Sequence, residues 1–311
     1  MPCNFVGLAD ANLAVWSAPL GMPSDVFWVY VSGCVLMVIG LIKISKDELA
    51  QARGIEKIMP FGRLCYAVPL AVFGSEHFSD TGAIATMVPS WISAHRFWVY
   101  LVGVALIAAA LSITLKVQSR LAATLLGIMF FSFVVLMDIP AVVAQPGDRF
   151  SWTLALRELA FASGAWAFAG SQVTTKRTGG APALVTFARI VIGIAAVFYG
   201  VEHFLHPALA TGVPLEKIMP EWIPGRLFWA YLAGAVLIAS GVCLVANKRA
   251  REAATYLGVM ILLLVLFEYL PMLIASPKDM VSLNYFFDTL FFGGAVLLLA
   301  DACGERSAAR S

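Results

Sequence analysis

The sequence predicts an all-α, polytopic helical membrane protein of about nine transmembrane helices, in which two parallel four-helix-bundle repeats follow one N-terminal helix. The first observation is composition, since 60% of the 311 residues are hydrophobic and 13% are charged, against about 25% charged in an average soluble domain. The second is that the apolar residues form blocks of roughly 20 residues, the helix length that crosses a bilayer. The third is an internal repeat. The net charge of +2 is too small to indicate a nucleic-acid partner, so the predicted partner is the lipid bilayer.

Apolar blocks separated by charged connections define the predicted spans. They cover residues 25–43, 61–78, 97–115, 121–143, 151–170, 185–205, 228–246, 251–274 and 284–302. The first block, Val26 to Ile42, follows no basic segment and precedes no small-residue cleavage motif. It is therefore predicted to stay in the protein rather than to be removed as a signal peptide.

The repeat emerges when the chain is aligned with itself. Residues 61–78 align without gaps on residues 187–204. This stretch matches Glu76, His77 and Phe78 with Glu202, His203 and Phe204. After a short length difference in the following loop, the alignment matches Trp91, Trp98, Tyr100, Gly103, Gly127 and Pro140 with Trp222, Trp229, Tyr231, Gly234, Gly258 and Pro271. Each copy holds an even number of spans, so both copies enter the membrane in the same direction, related by a pseudo-two-fold axis along the membrane normal.

The repeat divides the chain into five predicted parts. These are an N-terminal tail with the extra helix and a cytoplasmic loop (1–60), the first repeat (61–170), a cytoplasmic linker (171–184), the second repeat (185–302) and a cytoplasmic tail (303–311). The pattern of Phe27, Trp28, Tyr30 and Gly33 recurs at Phe97, Trp98, Tyr100 and Gly103. The extra helix is thus a third copy of the second repeat helix.

Basic residues gather on alternate connections between the spans. One set of connections contains Lys43, Lys46, Arg53, Lys57, Arg63, Lys116, Arg120, Lys176, Arg177, Lys248, Arg249, Arg251, Arg306 and Arg310. The opposite set contains fewer, namely Arg96, Arg149, Lys217, Arg226 and Lys278. Because cytoplasmic loops are enriched in Lys and Arg, the N-terminus is predicted to lie outside and the C-terminus in the cytoplasm.

Three motifs of the repeat together resemble the DoxX-like family of small four-helix bacterial membrane proteins. They are the Glu-His-Phe end of the first repeat helix, the Pro-x-Trp loop and the Phe-Trp-x-Tyr-x-x-Gly helix, and they occur in both copies. The chain therefore looks like a tandem duplication of the four-helix DoxX-like unit, over residues 61–170 and 185–302. Some members of that family are membrane subunits of a thiosulfate-to-quinone oxidoreductase, and others associate with redox enzymes. The resemblance implies a multi-pass protein of the bacterial cytoplasmic (inner) membrane, with quinone as a candidate cofactor and a redox enzyme as a candidate partner. It carries over no catalytic residue.

Nine ionisable side chains in the predicted spans are candidate site residues, because charge is costly there and commonly marks function. The first copy contributes Glu76, His77, Asp138, Arg157 and Glu158, and the second contributes Glu202, His203, Glu268 and Asp288. In the predicted orientation they share a similar depth in the outer leaflet, which defines one candidate polar cluster in each copy.

The two clusters are predicted to differ in charge. Glu158 is aligned with Asp288, so Phe287 is the predicted counterpart of Arg157. The second cluster is then predicted to be more acidic, unless Arg226 folds down from its loop, and to be the site that binds a proton or cation.

These residues are either helix-end residues at the membrane interface or parts of a functional site, and the helix dipole helps to decide between the two. A helix C-terminus favours cations and disfavours carboxylates, so the two histidines are explained as helix-end residues. Carboxylates at the same ends require a cationic partner, a retained proton or a ligand. We therefore expect the first and third helices of each copy to pack side by side, with Glu76 near Asp138 and Glu202 near Glu268.

Neither the cysteines nor the histidines predict a metal site. The cysteines, Cys3, Cys34, Cys65, Cys243 and Cys303, have no ligand-like spacing. His203 and His206 have a spacing compatible with metal ligation, but no second pair accompanies them. Trp91, Trp98, Trp222 and Trp229 are predicted to form an outer aromatic belt, with stacking on a quinone ring as the alternative.

Three functional hypotheses remain. The first is a membrane subunit or partner of a quinone-linked redox system. The sequence has no haem-type histidine pair, cysteine cluster or nucleotide loop, so it is not predicted to be an enzyme on its own and is at most the membrane subunit of an oxidoreductase. The second is a small-solute or proton-coupled transporter, which parallel repeats favour and an apolar midplane disfavours. The third is a structural or assembly protein without chemistry of its own.

Overall fold

The computed structural model describes residues 22–44, 49–50, 54–172, 180–209 and 219–308. Every regular element in these residues is helical, which confirms the predicted all-α class. Some of the residues named above lie outside the described residues, namely Cys3, Lys46, Arg53, Lys176, Arg177, Lys217 and Arg310.

Nine long helices follow one another in the described part of the chain. Their bounds are α1 Ser24–Lys43, α2 Met59–Ser79, α3 His95–Leu115, α4 Ser119–Ala144, α5 Arg149–Ser171, α6 Gly180–Leu205, α7 Arg226–Val245, α8 Ala250–Ala275 and α9 Met280–Ala308. The helix α6 begins before the predicted residue 185, and α9 continues past the predicted residue 302. The predicted linker and tail are therefore partly helical, as their alanines favour.

Eight of these helices are long and apolar enough to cross a membrane, so the chain is a multi-pass helical membrane protein. The remaining helix is α5, whose 23 residues include Arg149, Arg157 and Glu158. It packs against α4, α6 and α9. A helix covered by other helices tolerates polar residues that a lipid-facing helix does not, because they can find partners within the protein.

The helices of the two predicted repeats pack in the same pattern. In each repeat the first helix contacts the second and the third contacts the fourth. The fourth helix of each repeat then packs against the first helix of the other, which joins α2 to α9 and α6 to α5. The helices α5 and α9 also contact each other at the centre. The predicted repeats therefore share one core, and neither forms a closed four-helix bundle by itself.

Small residues allow α9 to pack closely against both α2 and α5. A Cβ atom added at Gly294 of α9 would lie 2.5 Å from the Tyr66 backbone nitrogen in α2. One added at Gly164 of α5 would lie 2.5 Å from the Ala295 Cβ in α9. Since lipid is as apolar as a helix surface, such close van der Waals contact is a main source of association between transmembrane helices.

The extra helix α1 lies on the groove between α2 and α3. Its Gly33 faces this groove, where an added Cβ atom would lie 2.8 Å from Val72 Cγ2. The corresponding groove of the second repeat lies between α6 and α7 and is lined by Ile194, Phe198 and Val242. No described helix covers that second groove in the way that α1 covers the first, so α1 makes the two repeats different on their outer surface.

The helices α4 and α8 each contain one π-helical turn at the same place. The turns are Val134–Asp138 and Val265–Tyr269, and each is followed by a proline two residues later. Proline has no backbone N–H and disturbs the helical hydrogen bonds around it. The two turns carry Asp138 and Glu268, which are only 8% and 5% exposed. A π turn inside an α-helix is commonly found at a functional site.

Candidate functional site

Matching caps begin the fourth helix of each repeat. At the start of α5, Asp148 accepts hydrogen bonds from the backbone N–H and the hydroxyl of Ser151, at 3.0 and 2.7 Å. At the start of α9, Asp279 accepts the same pair of bonds from Ser282, at 3.1 and 2.6 Å. The hydrogen bond from the Ser151 hydroxyl is the main cause that lowers the pKa of Asp148. The two caps identify equivalent positions in α5 and α9.

These caps correct the predicted alignment. The capping aspartates are 131 positions apart, and so are Arg157 and Asp288. Arg157 therefore corresponds to Asp288 and not to Phe287. Glu158 corresponds in turn to Thr289. The alignment was wrong by one residue because the predicted spans of these helices omit the capping residues, which carry the clearest match.

Arg157 and Asp288 form a salt bridge where α5 meets α9. The Arg157 Nη1 atom donates to Asp288 Oδ2 at 2.7 Å. The two side chains are 15% and 12% exposed, so both charges are largely removed from solvent. The Arg157 Nη2 atom also lies 3.9 Å from Glu158 Oε1. The prediction that only Arg226 could bring an arginine to the cluster of Asp288 was wrong, because its arginine comes from the other repeat.

Asp138 extends this group from α4. Its carboxyl lies beside Glu158, close enough for a side-chain hydrogen bond. It also interacts electrostatically with Arg157. Its Oδ2 atom is buried and has no hydrogen-bond partner. Two carboxyl groups can hydrogen-bond to each other only when one of them carries a proton. The pair of carboxyls is therefore suited to hold one proton between them.

Glu76 joins the group from the end of α2. The Asn284 Nδ2 atom of α9 donates to Glu76 Oε1 at 3.0 Å. The Asn284 Oδ1 atom is buried without a hydrogen-bond partner. The expected contact between Glu76 and Asp138 was wrong, because α2 packs against α9 while α4 packs against α5 and α3. We call Glu76, Asp138, Arg157, Glu158, Asn284 and Asp288 the central cluster.

Glu202, the counterpart of Glu76, has a different environment at the end of α6. Its Oε2 atom lies 3.6 Å from Arg149 Nε and 3.6 Å from His206 Nε2. The arginine comes from the first turn of α5, although the sequence placed it among the loop cations. Glu268 lies on α8, which packs mainly against α7 and α9. The expected packing of α6 on α8 was therefore wrong, as was that of α2 on α4.

The two histidines make local contacts outside the central cluster. The Nδ1 atom of His77 donates to the Phe73 carbonyl oxygen at 2.7 Å. The Nδ1 atom of His203 donates to the Tyr199 carbonyl oxygen at 2.6 Å. The Cβ atom of each histidine also faces a glycine of the next helix. Both histidines thus lie in the last turn of their helices, and His203 is fully buried there.

The central cluster contains three polar atoms with unmade hydrogen bonds. The atoms are Asp138 Oδ2, Arg157 Nε and Asn284 Oδ1, each buried without a hydrogen-bond partner. An unmade hydrogen bond at a buried position costs about 1–3 kcal/mol. A bound polar group, whether water or ligand, would remove that cost.

Sequence reasoning missed Asn284 because it considered only ionisable side chains. The signal was present, since this amide lies among the aromatic residues of Asn284-Tyr-Phe-Phe287. A polar amide in an apolar span is itself expensive unless it is hydrogen-bonded. A search for all polar residues in the spans would therefore have found it.

An aromatic layer lies about one turn beyond the central cluster along α5 and α9. The ring centroids of Phe161 and Phe291 are 4.1 Å apart. Phe291 also lies 4.4 Å from Tyr66 and 5.7 Å from Phe130, between ring centroids. The Arg157 Cζ atom is 5.9 Å from the centroid of the Phe161 ring. The layer separates the central cluster from the other half of the core.

Among the described residues, no group of three or more His, Cys, Asp and Glu side chains is arranged to hold a metal ion. Among the described cysteines, Cys34, Cys65 and Cys243 are free thiols.

A family model described as a domain of unknown function, DUF8561, matches residues 66–170. This range lies within the predicted first repeat and ends at the end of α5. Comparison with curated proteins and with solved structures finds no match.

Proposed function

We propose that the chain is a membrane subunit or partner of a quinone-linked redox system of the bacterial cytoplasmic membrane, and that its central cluster binds the quinone headgroup. The DoxX-like resemblance of both repeats supports the redox connection. The observation that carries the proposal is the central cluster itself. Polar side chains of both repeats meet there, and they include buried atoms without hydrogen-bond partners, Asp138 Oδ2 and Arg157 Nε.

The central cluster has the groups that quinone chemistry needs. Reduction of a quinone adds two electrons and two protons and converts both carbonyl groups to hydroxyls, and oxidation reverses these steps. Arg157 Nε is an unused donor for a quinone carbonyl oxygen. The Asp138 and Glu158 carboxyls, which lie beside each other, would supply or accept one proton, and the second proton would be exchanged with water at the membrane surface. The electrons would pass to or from the cofactor of a partner redox protein.

The aromatic layer favours this function over transport. A solute that moved from the central cluster along α5 and α9 would meet the rings of Phe161 and Phe291, whose centroids are only 4.1 Å apart. Closely packed aromatic rings in a core resist such displacement. Binding from one side of the membrane requires no such passage.

A structural or assembly role is the second candidate, and the Arg157–Asp288 salt bridge favours it. The bridge joins the two repeats, with 2.7 Å between Arg157 Nη1 and Asp288 Oδ2. It would stabilise the contact between the repeats without any ligand. The two candidates differ in what they require of Asp138, whose Oδ2 atom has no partner within the protein. That atom contributes to quinone binding in the first candidate and to nothing in the second.

Quinone retention tests the proposal. The full chain is purified in a mild detergent, and quinones in the extract are quantified by liquid chromatography and mass spectrometry. Decylubiquinone is then titrated while thermal unfolding is followed. We expect the wild type to retain quinone and to gain thermal stability from the probe, and Asp138→Asn to lose both effects.

Ser163→Ala is the matched control, because Ser163 is a fully buried polar residue whose hydroxyl also has no hydrogen-bond partner. It lies on α5 a turn and a half beyond Arg157 and outside the central cluster. This variant should retain quinone like the wild type. Absence of quinone from the wild type, or equal retention by the Asp138→Asn variant, would refute the quinone site and leave the structural role.

A further inference from the structure

An apolar groove is open on the outer surface of the second repeat, between α6 and α7. It has a volume of about 490 Å³ and is lined by Ile194, Val197, Phe198, Val242, Val245 and Ala246. None of these described residues has a polar side chain, and Ile194 and Val245 are 49% and 43% exposed. In a membrane such a groove is covered either by lipid or by an apolar partner.

The equivalent groove of the first repeat is occupied by a helix of this chain. There α1 packs against α2 and α3. Leu64 and Val68 of α2 are only 8% and 3% exposed beneath it. Their counterparts in α6 are Ile190 and Ile194, which are 37% and 49% exposed. No described helix occupies the groove of α6 and α7 in this way. A surface of this kind thus accepts a transmembrane helix in the first repeat and is open in the second.

Two glycines on one face of α1 explain how this helix fits its groove. A Cβ atom added at Gly33 would lie 2.8 Å from Val72 Cγ2, and one added at Gly40 would collide with the Leu64 side chain. Seven residues make about two helical turns, so both glycines face α2. Small residues at such positions allow close backbone approach and favour the association of transmembrane helices. A helix that fills the second groove needs small residues at the same spacing.

A serine contact of α1 has no equivalent in the second groove. The Ser32 and Ser75 hydroxyl oxygens lie 2.9 Å apart and share a hydrogen bond between α1 and α2. Ser75 corresponds to Val201 in α6, which is 43% exposed. A helix in the second groove would therefore meet an apolar side chain at this position.

A tyrosine contact of α1 also differs between the repeats. The Tyr30 hydroxyl donates to the carbonyl oxygen of Pro277, in the connection between α8 and α9, at 3.1 Å. The counterpart of Pro277 is Pro146, whose carbonyl oxygen already accepts from Trp152 Nε1 at 2.9 Å. The second groove thus selects its occupant by apolar packing rather than by hydrogen bonds.

We propose that the groove between α6 and α7 binds a transmembrane helix of a partner protein, seated as α1 is seated on the first repeat. The partner helix has glycine or alanine at two positions seven residues apart, on a face that is otherwise apolar. It runs in the same direction as α1, because the two repeats are parallel. This interaction surface is independent of the quinone site.

The test uses the full wild-type chain in liposomes and a probe helix made from α1. The probe is a synthetic peptide of residues 22–44. Its substitutions Tyr30→Phe and Ser32→Ala remove the two hydrogen bonds that belong to the first groove. Photo-leucine replaces Leu36, which is 3% exposed on the packed face of α1. After irradiation, mass spectrometry identifies the cross-linked residues, and we expect them to lie in the groove of α6 and α7.

A second peptide and two chain variants show whether close packing is responsible. The peptide with Gly33→Leu and Gly40→Leu remains apolar but cannot approach α6, so it should give about fivefold less cross-linked product or lower. In the chain, Ile194→Trp fills the groove and should reduce cross-linking of the first peptide by a similar factor. Leu263→Trp is the matched control, because Leu263 is 48% exposed on α8 and does not line the groove. It should leave cross-linking unchanged.

Three outcomes would overturn the proposal. Cross-links spread evenly over lipid-facing residues of all helices would show that lipid covers the groove. Cross-links confined to α2 and α3 would show that the probe displaces α1 and that the second groove takes no helix. Native mass spectrometry of the chain without peptide gives the third. A dimer that Ile194→Trp separates and Leu263→Trp leaves intact would assign the groove to a second copy of the chain.

Discussion

Arg157 of α5 and Asp288 of α9 occupy equivalent positions of the two predicted repeats and bind each other at 2.7 Å. A pair of equivalent residues can meet only near an axis that relates the two copies. In an exact duplication both positions would hold the same residue, and two like charges would repel each other there. The opposite charges at these positions turn that repulsion into attraction, so divergence of the two copies stabilises their contact.

The first prediction concerns this salt bridge. Asp288→Asn removes the negative charge and leaves the buried Arg157 without its main counter-ion. We expect it to lower the free energy of unfolding by about 2 kcal/mol or more. Glu158→Gln is the control and should cost less, because Glu158 lies 3.9 Å from the arginine and Asp288 lies 2.7 Å from it. Thermal or denaturant unfolding in one detergent measures both.

An exchange variant makes this prediction more specific. Arg157→Asp combined with Asp288→Arg restores a pair of opposite charges at equivalent positions. The double variant should recover at least half of the stability that each single substitution loses. Strictly additive losses would show that the two side chains do not stabilise one another.

The second prediction concerns the contact between α2 and α9. Gly294→Ala should lower the free energy of unfolding by about 1–3 kcal/mol. Its new Cβ atom would lie 2.5 Å from the Tyr66 backbone nitrogen, which cannot move without moving α2. The adjacent Gly293→Ala is the control, because its Cβ atom would meet a side-chain methyl of Ile261 at 3.0 Å. Equal stabilities of the two variants would contradict the close packing of α9 on α2.

The third prediction concerns pH and the cap of α5. The pKa of Asp148 is lowered mainly by the hydrogen bond from the Ser151 hydroxyl. A carboxylate whose pKa is lowered in the folded state stabilises the protein above its unfolded pKa, and this contribution disappears as the pH falls through the folded value. Asp148→Asn should therefore be less stable than the wild type at neutral pH.

The difference between the two proteins should shrink below about pH 4, where the wild-type carboxyl becomes protonated. Unfolding measured from pH 7 to pH 3 gives this profile. Ser151→Ala should show the same trend, because it removes the hydroxyl that lowers the pKa. A difference that stays constant with pH would show that the cap acts without its charge.

The fourth prediction concerns orientation in the membrane. Gln118 lies between α3 and α4, and Ser276 lies between α8 and α9, so the two residues are predicted to face the cytoplasm and the outside, respectively. Both are exposed, whereas the neighbouring Ser119 is buried and donates to Gln172. Single cysteines at positions 118 and 276, in a background without the native cysteines, should react with an impermeant reagent from opposite sides of the membrane. Labelling of both from one side would contradict the predicted topology.

Much of the fold could be predicted from the sequence because it depends on local patterns. Apolar blocks predicted the helices, and matched residues such as Gly103 and Gly234 predicted the repeat. The candidate site was predicted only as a set of residues. Charged side chains in apolar spans are conspicuous in a sequence, but their partners depend on which helices pack together, and several helix arrangements bury the same residues.

The sequence by itself determined that the chain is a helical membrane protein with an internal repeat and polar residues near one end of its helices. Only the tertiary structure decided that each fourth helix packs on the other repeat. This exchange brings Arg157 to Asp288 and Asn284 to Glu76, although each pair is more than a hundred residues apart in the chain. The physical reason is that helix formation and membrane insertion depend on local hydrogen bonds and hydropathy, whereas the choice of neighbour depends on close van der Waals contact. Small residues such as Gly164 and Gly294 permit that contact, and they reveal their partner only when the helices are assembled.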